Sequence, residues 1–283
     1  MENIIIKLRS HPLLSFFILT FLFSWSFWIP SAIMFDHVQI ENLVKSPIFI
    51  LLQTLGAIGP SLIAILLIRF LYGKEKLSQI FGQFKKWRVE KKWYFISILL
   101  IPFITLLSNV IIIASNVNGF VLSPDLPLGE MMNEIGLVGI VFSLPIIFVS
   151  QLFSSPLLEE FGWRGFALPR LQRTYNALGS SIILGLLWGI WHLPLVIAYG
   201  ESLPLYLLSI IGCTILMTWV YNSTEGSLLM MLLFHASLNV SLNILAISRE
   251  DLLSTALTWI VVGFVVWNYG SKNLSKTERF RWS

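Results

Sequence analysis

Charge is what this chain has least of: Asp, Glu, Lys and Arg together make 12% of its 283 residues, against 56% hydrophobic ones. A soluble globule carries roughly a quarter charged residues, so polar surface is too scarce here to cover a core in water. Cysteine is nearly absent as well. The single Cys213 lies inside an apolar run, which excludes an intramolecular disulfide framework and a cysteine-based metal cluster. The apolar runs do not alternate with polar residues, which excludes the strands of a transmembrane barrel. Internal repeats, low-complexity tracts and a separate soluble domain are also lacking. The net charge of +4 comes from short loops and chain ends and makes no nucleic-acid face, so no nucleic acid is expected as a partner. Lys7 and Arg9 precede an apolar stretch in the manner of a signal peptide. That stretch continues through Trp25 and Trp28 with no small-residue cleavage site, so a retained first helix is expected.

What the chain does have is apolar length, with a mean hydropathy of +0.79. Runs near 13–35, 47–71, 93–115, 137–168, 179–199, 203–221, 227–247 and 252–270 approach or exceed the roughly 20 residues that cross a bilayer as a helix. They predict an all-α polytopic membrane protein, a single transmembrane domain over 1–283 with about eight crossings and the lipid bilayer as its solvent. The fourth run is too long for one straight crossing and contains Pro145 and Pro156, so a kink or re-entrant break is expected there.

Orientation follows from the basic residues. Lys7 and Arg9, then Lys74, Lys76, Lys85, Lys86, Arg88, Lys91 and Lys92, then Arg164, Arg170 and Arg173, then Lys272, Lys276, Arg279 and Arg281 fall on one side, leaving Lys45 and Arg249 opposite. Positive residues accumulate on the cytoplasmic side, so both termini are expected in the cytoplasm and the protein in the cell membrane as a multi-pass chain. The loop 116–135 agrees, carrying Asp125, Glu130 and Glu134 with no Lys or Arg. Segment 74–92 is basic, with Leu77, Ile80, Phe81, Phe84 and Trp87 at helical spacing. It is read as an amphipathic cytoplasmic loop lying on the membrane surface.

Ionisable side chains at membrane depth cost several kcal/mol and need a reason. The chain places Glu159 and Glu160 in SSPLLEEFGWRGFALPRL, His192 in LLWGIWHLPLV, and His235 with Asn239 in LLMMLLFHASLNV. At 1.5 Å per residue, Glu159, His192, His235 and Asn239 stand roughly 14, 20, 12 and 18 Å from the inner ends of their runs. Three helices thus bring a carboxylate, two imidazoles and an amide to a similar level, where one wet, cytoplasm-facing cavity would serve them all. A carboxylate beside an imidazole can take a proton from water, the general-base arrangement for hydrolysis. A second histidine with an asparagine four residues on, along one helical face, can donate to a developing oxyanion. Glu160 and Arg164 have the i, i+4 spacing of an ion pair, and Arg164 could also reach back to Glu159. Trp188 is read as packing, and Gly56, Gly59, Gly185 and Gly189 as small residues that let helices approach.

These motifs resemble those of the CPBP group of intramembrane endopeptidases (CAAX proteases and bacteriocin-processing proteins, also called Abi). The family's E-E-x-x-x-R is matched by Glu159, Glu160 and Arg164, and its H-x-x-x-N by His235 and Asn239; its F-x-x-x-H is matched by His192 with Trp188 in the Phe position. The resemblance covers a catalytic core of about 150–242. It implies an eight-helix fold with a conical cavity, Glu159 and His192 as activators of water, His235 and Asn239 as oxyanion stabilisers, and Glu160 and Arg164 as orienting groups. It also implies a peptide or protein substrate, lipid-anchored in the prenyl-protease branch, and a bacterial-type member with a peptide-processing or self-immunity role. A metal-free glutamate mechanism is preferred. A zinc version would use Glu159, His192 and His235 as ligands and Glu160 as base. Two readings from other classes stand beside this one: a small proton-coupled transporter, and a non-catalytic immunity or binding scaffold of the same fold.

Overall fold

In the computed structural model, which describes residues 9–35, 45–115, 127–246 and 252–281, every regular element is helical. Helix α1 spans Pro12–Met34, α2 Pro47–Ala57, α3 Gly59–Leu71, α4 Gly73–Phe81 and α5 Lys91–Ala114. Then come α6 (Pro127–Leu152), the short α7 (Ser155–Glu160), a π-helical stretch (Phe161–Ala167) and α8 (Leu168–Thr174). The rest is α9 (Ala177–Trp191), α10 (Leu193–Ala198), α11 (Leu203–Ser223), α12 (Leu228–Val240) and α13 (Leu252–Tyr269). Proline stands in the first turn of α1, α2, α3, α7, α8, α10 and α11, where its missing N–H removes no helical hydrogen bond.

Seven segments among the described residues are long and apolar enough to cross a membrane, which makes the chain an all-α polytopic membrane protein. The expected fifth crossing, 179–199, differs. Its apolar helix is only 15 residues, Ala177–Trp191, and stops at His192, because Pro194 lacks the N–H that would continue the ladder. His192 therefore sits at a helix break rather than inside a continuous crossing. The fourth run is interrupted as expected, but not at Pro145, which is accommodated inside α6. α6 bends at Gly136, whose φ of +65° suits glycine, and the run itself breaks at Phe153 and Ser154, before Pro156 restarts it in α7. Lys7, Asp125 and Arg249, on which part of the orientation argument stands, lie outside the described residues.

Close helix approaches fall where small residues were noted. A Cβ on Gly56 would stand 2.1 Å from Trp28 Nε1, so α1 crosses α2 only because that side chain is missing. Pro60 has no N–H to give to the carbonyl of Gly56, and Ser24 Oγ on α1 donates to that oxygen instead, at 2.7 Å. Gly185 and Gly189 seat α9 against α11 in the same way, facing Ile211 and Leu207.

The basic segment 74–92 does not simply lie on a surface. Ile80 is fully buried, and Phe81 packs its ring on Phe161 at 4.6 Å, which joins the segment to the π-helical stretch. Burial, and then the nearby guanidinium groups of Arg170 and Arg173, hold the Lys76 ammonium below its ordinary value. Apolar residues at helical spacing in the sequence are here largely a packing face, although Phe81 and Trp87 keep exposed sides.

The residues after α13 return to the same end of the bundle. Lys272 O and Ser271 O accept from the backbone N–H groups of Ala177 and Leu178, capping the otherwise unpaired start of α9. Asn222 and Gln172 form a reciprocal amide pair at 2.8 and 3.0 Å, and Phe280 adds its N–H to Asn222 Oδ1 and its carbonyl to Gln172 Nε2. Asn222→Leu should therefore strand buried amide groups at about 1–3 kcal/mol each and release the tail. Limited trypsin digestion followed by mass measurement should find cleavage at Lys276 faster in the variant than in the wild type.

Candidate active site

Glu159 and Glu160 close the short α7, and adjacent positions on a helix point their side chains about 100° apart. Their partners differ accordingly. Glu160 Oε1 accepts from Arg164 Nη1 at 2.8 Å and from His235 Nδ1 at 2.7 Å. Glu160 and Arg164 are both 0% exposed, so the ion pair expected from the spacing is present and wholly buried. Arg164 gives Nη2 to Met217 Sδ at 3.1 Å and lays its guanidinium on the Trp188 ring at 4.4 Å. Its reach back to Glu159 does not occur; the guanidinium is committed to Glu160, Met217 and Trp188.

Glu159 has only neutral donors. Its Oε2 accepts from Trp188 Nε1 at 2.8 Å and from Trp163 Nε1 at 3.3 Å. Among the described residues no hydrogen bond joins Glu159 to either imidazole; the three meet around Trp188 instead. The His235 ring lies 5.3 Å and the His192 ring 5.8 Å from the Trp188 ring.

The partners also set the tautomers. His192 Nδ1 is 2.9 Å from Trp188 O, and a carbonyl only accepts, so Nδ1 carries the proton and Nε2 is left for chemistry. The same logic at the Glu160 carboxylate makes His235 Nδ1 a donor and leaves its Nε2. Trp28, Trp191 and Tyr206 enclose the His192 ring at 5.8, 4.6 and 6.0 Å.

Asn239 is on the same helix as His235, one turn on, but is held elsewhere. Its Nδ2 donates to Ser155 Oγ at 2.9 Å and to Gln151 Oε1 at 3.3 Å, tying α12 to the α6–α7 junction. Glu159, Glu160, Arg164 and His235 are buried, whereas His192 and Asn239 are half-buried, so the set is largely closed over by aromatic packing. Glu160 Oε2 and Arg164 Nε have no hydrogen-bond partner among the described residues. No group of three His, Cys, Asp or Glu side chains among the described residues could hold a metal ion. Glu159, His192 and His235 therefore do not form the ligand set that the zinc version requires.

Trp188 and Trp163 are the residues that reading the sequence missed. Trp188, assigned to packing, touches Glu159, Arg164, His192 and His235. A signal was available: Trp163 is four residues after Glu159 and Trp188 four before His192, and a buried indole N–H needs an acceptor.

Residues 140–241 match the model of the Type II CAAX prenyl endopeptidase Rce1-like family. Over that segment the chain is similar to that family. The Rce1-like segment holds Glu159, Glu160, Arg164, His192, His235 and Asn239. Similarity to one relative extends much further. CAAX prenyl protease 2 of Methanococcus maripaludis is 27% identical over 269 residues, covering 89% of this chain and 92% of that protein, so the likeness reaches well beyond the segment that carries the motifs.

Proposed function

We propose that the chain is an intramembrane endopeptidase that hydrolyses a peptide bond with water activated by Glu159 and His192. The observation that supports this most is the unequal treatment of two adjacent carboxylates. Glu160 is fixed by the Arg164 guanidinium and by the His235 Nδ1 hydrogen bond, while Glu159 is held by indole N–H groups alone and keeps its capacity to take a proton. Paired titratable groups in opposed environments are how acid and base roles are divided.

In this reading a water molecule lies between Glu159 and His192 Nε2. Its oxygen attacks the scissile carbonyl carbon and its proton passes to Glu159. His235 Nε2, in the doubly protonated ring whose charge Glu160 balances, donates to the oxyanion. Both amide hydrogens of Asn239 are already given to Ser155 and Gln151, so its contribution requires exchanging one of those bonds for the substrate oxygen. Collapse then breaks the C–N bond, and the leaving amine takes the proton back from Glu159. No step in this reading runs through a metal.

We take the substrate to be a lipid-anchored or hydrophobic peptide segment, on the printed names of the family and of the archaeal relative. The end bearing segment 74–92 and the tail is taken as cytoplasmic. Lys86 there stacks on Phe280 and hydrogen-bonds Glu225 O, so the two basic regions stand on one side. The test uses purified protein in detergent with internally quenched peptides, prenylated and plain. The wild type should cleave, with prenylated peptides preferred, and His192→Ala should not. Cleavage that survives complete metal removal supports the glutamate route; activity lost with the metal and restored by zinc alone overturns it.

A further inference from the structure

We infer that Trp188 is a positioning residue for the reaction: its indole N–H, assisted by that of Trp163, fixes the orientation of the Glu159 carboxylate. The inference rests on the reading of Glu159 as the base and adds to it the group that aims it. Trp188 is 2% exposed and sits where the family motif has Phe. A phenylalanine there could keep a ring under the Arg164 guanidinium, an edge toward His235 and a backbone carbonyl for His192 Nδ1. Those contacts do not require tryptophan. The one interaction that does is the 2.8 Å hydrogen bond from Nε1 to Glu159 Oε2.

Trp163 donates to the same oxygen, at 3.3 Å. Two donors on one oxygen hold the carboxylate plane and leave Oε1 as the oxygen that can meet water. Neutral donors suit this task, since they orient the carboxylate without cancelling the charge that makes it a base. The Arg164 guanidinium does cancel such a charge, and it acts on Glu160. Trp188 thereby serves both members of the proposed water-activating pair: its side chain aims Glu159, and its carbonyl sets the tautomer of His192.

The experiment compares Trp188→Phe, Trp163→Phe and the wild type as full-length proteins in detergent, by kcat, KM and the unfolding midpoint. Ultraviolet resonance Raman of the indole N–H is recorded alongside, also for Glu159→Gln. Trp188→Phe should lower kcat about tenfold or more, the worth of a hydrogen bond to a charged group, with KM changed less than about twofold and an unfolding midpoint near that of the wild type. Trp163→Phe should lose less, its bond being longer. Other indoles are also hydrogen-bonded, Trp25 to Trp191 O at 2.9 Å and Trp259 to Leu208 O at 3.0 Å, so difference spectra against the wild type are read. They should show one strongly bonded indole lost in Trp188→Phe and weakened in Glu159→Gln. A Trp188→Phe enzyme with wild-type kcat overturns the inference, as does an indole signature that ignores Glu159→Gln. If Trp188→Phe fails to fold, Trp163→Phe decides, and unchanged kcat with an unchanged indole signature overturns it. Failure of the protease reading is distinct: the wild type then cleaves no peptide, while the spectra still report whether the bond exists.

Discussion

Glu159→Gln should give a folded protein whose peptide cleavage is about 10²–10⁴-fold slower, whereas Glu160→Gln, one residue along, should lose its stability. The sequence does not distinguish the two side chains; their partners do. At Glu159 the change removes a proton acceptor, but the amide oxygen still receives the indole N–H groups of Trp188 and Trp163, so the packing survives. At Glu160 it leaves the fully buried guanidinium of Arg164 without a counter-charge. Breaking a buried ion pair from one side costs about 3–5 kcal/mol, because an uncompensated charge remains in low dielectric. A neutral amide oxygen, a thioether and an indole face are left to Arg164, and none of them supplies the charge of a carboxylate. Unfolding in detergent should separate the variants. The double variant Glu160→Gln with Arg164→Met should recover part of the loss, since removing both charges also removes the penalty. If Glu160→Gln unfolds like the wild type, the buried pair is not the organising contact described here. If Glu159→Gln retains full cleavage, the proposed base is lost.

Much of the site was legible because lipid penalises the residues that compose it. Glu160 and His235 are 75 positions apart yet stand out in apolar runs, and their bond follows from the need of each for a partner. Hydropathy weighs a side chain as a whole, however, and so it hides the indole N–H. Trp188 and Trp163 read as apolar bulk while acting as the donors to Glu159. Hydropathy also measures length without continuity. The run 179–199 is apolar throughout, but Pro194 ends its ladder and makes His192 a helix terminus. The residues after Tyr269 are polar and show no periodicity, so nothing in their composition announces that their carbonyls cap α9 or that Phe280 seals the Gln172–Asn222 pair. Likewise the helical spacing of Ile80 and Phe81 is as compatible with a lipid surface as with the Phe161 face they cover. Distinguishing these requires knowing what lies opposite, which only the folded chain supplies.

Gly162→Ala should be nearly as damaging to cleavage as loss of a catalytic side chain, although Gly162 has no functional group. It lies in the π-helical stretch between Glu160 and Arg164, at the point where that stretch rests on the start of α3. A Cβ there would stand 2.5 Å from both the carbonyl carbon and the oxygen of Pro60, and 2.7 Å from Pro60 Cβ. Backbone in a proline-started turn cannot rotate aside as a flexible side chain would, so the two elements must part. Overpacking of this kind costs about 1–3 kcal/mol in stability. The larger effect is geometric: Gly162 is flanked by Trp163, which holds Glu159, and is two residues from both members of the Glu160–Arg164 pair. A displacement of about 1 Å at a reacting centre can lower a rate by about 10², so kcat should fall by about that factor while the protein still folds. Gly263→Ala is the matching control. That glycine is also helical, but nothing lies within 4 Å of its would-be Cβ, and cleavage should be unchanged. If the two alanines behave alike in kcat and in the unfolding midpoint, the contact at Pro60 does not set the position of the paired glutamates.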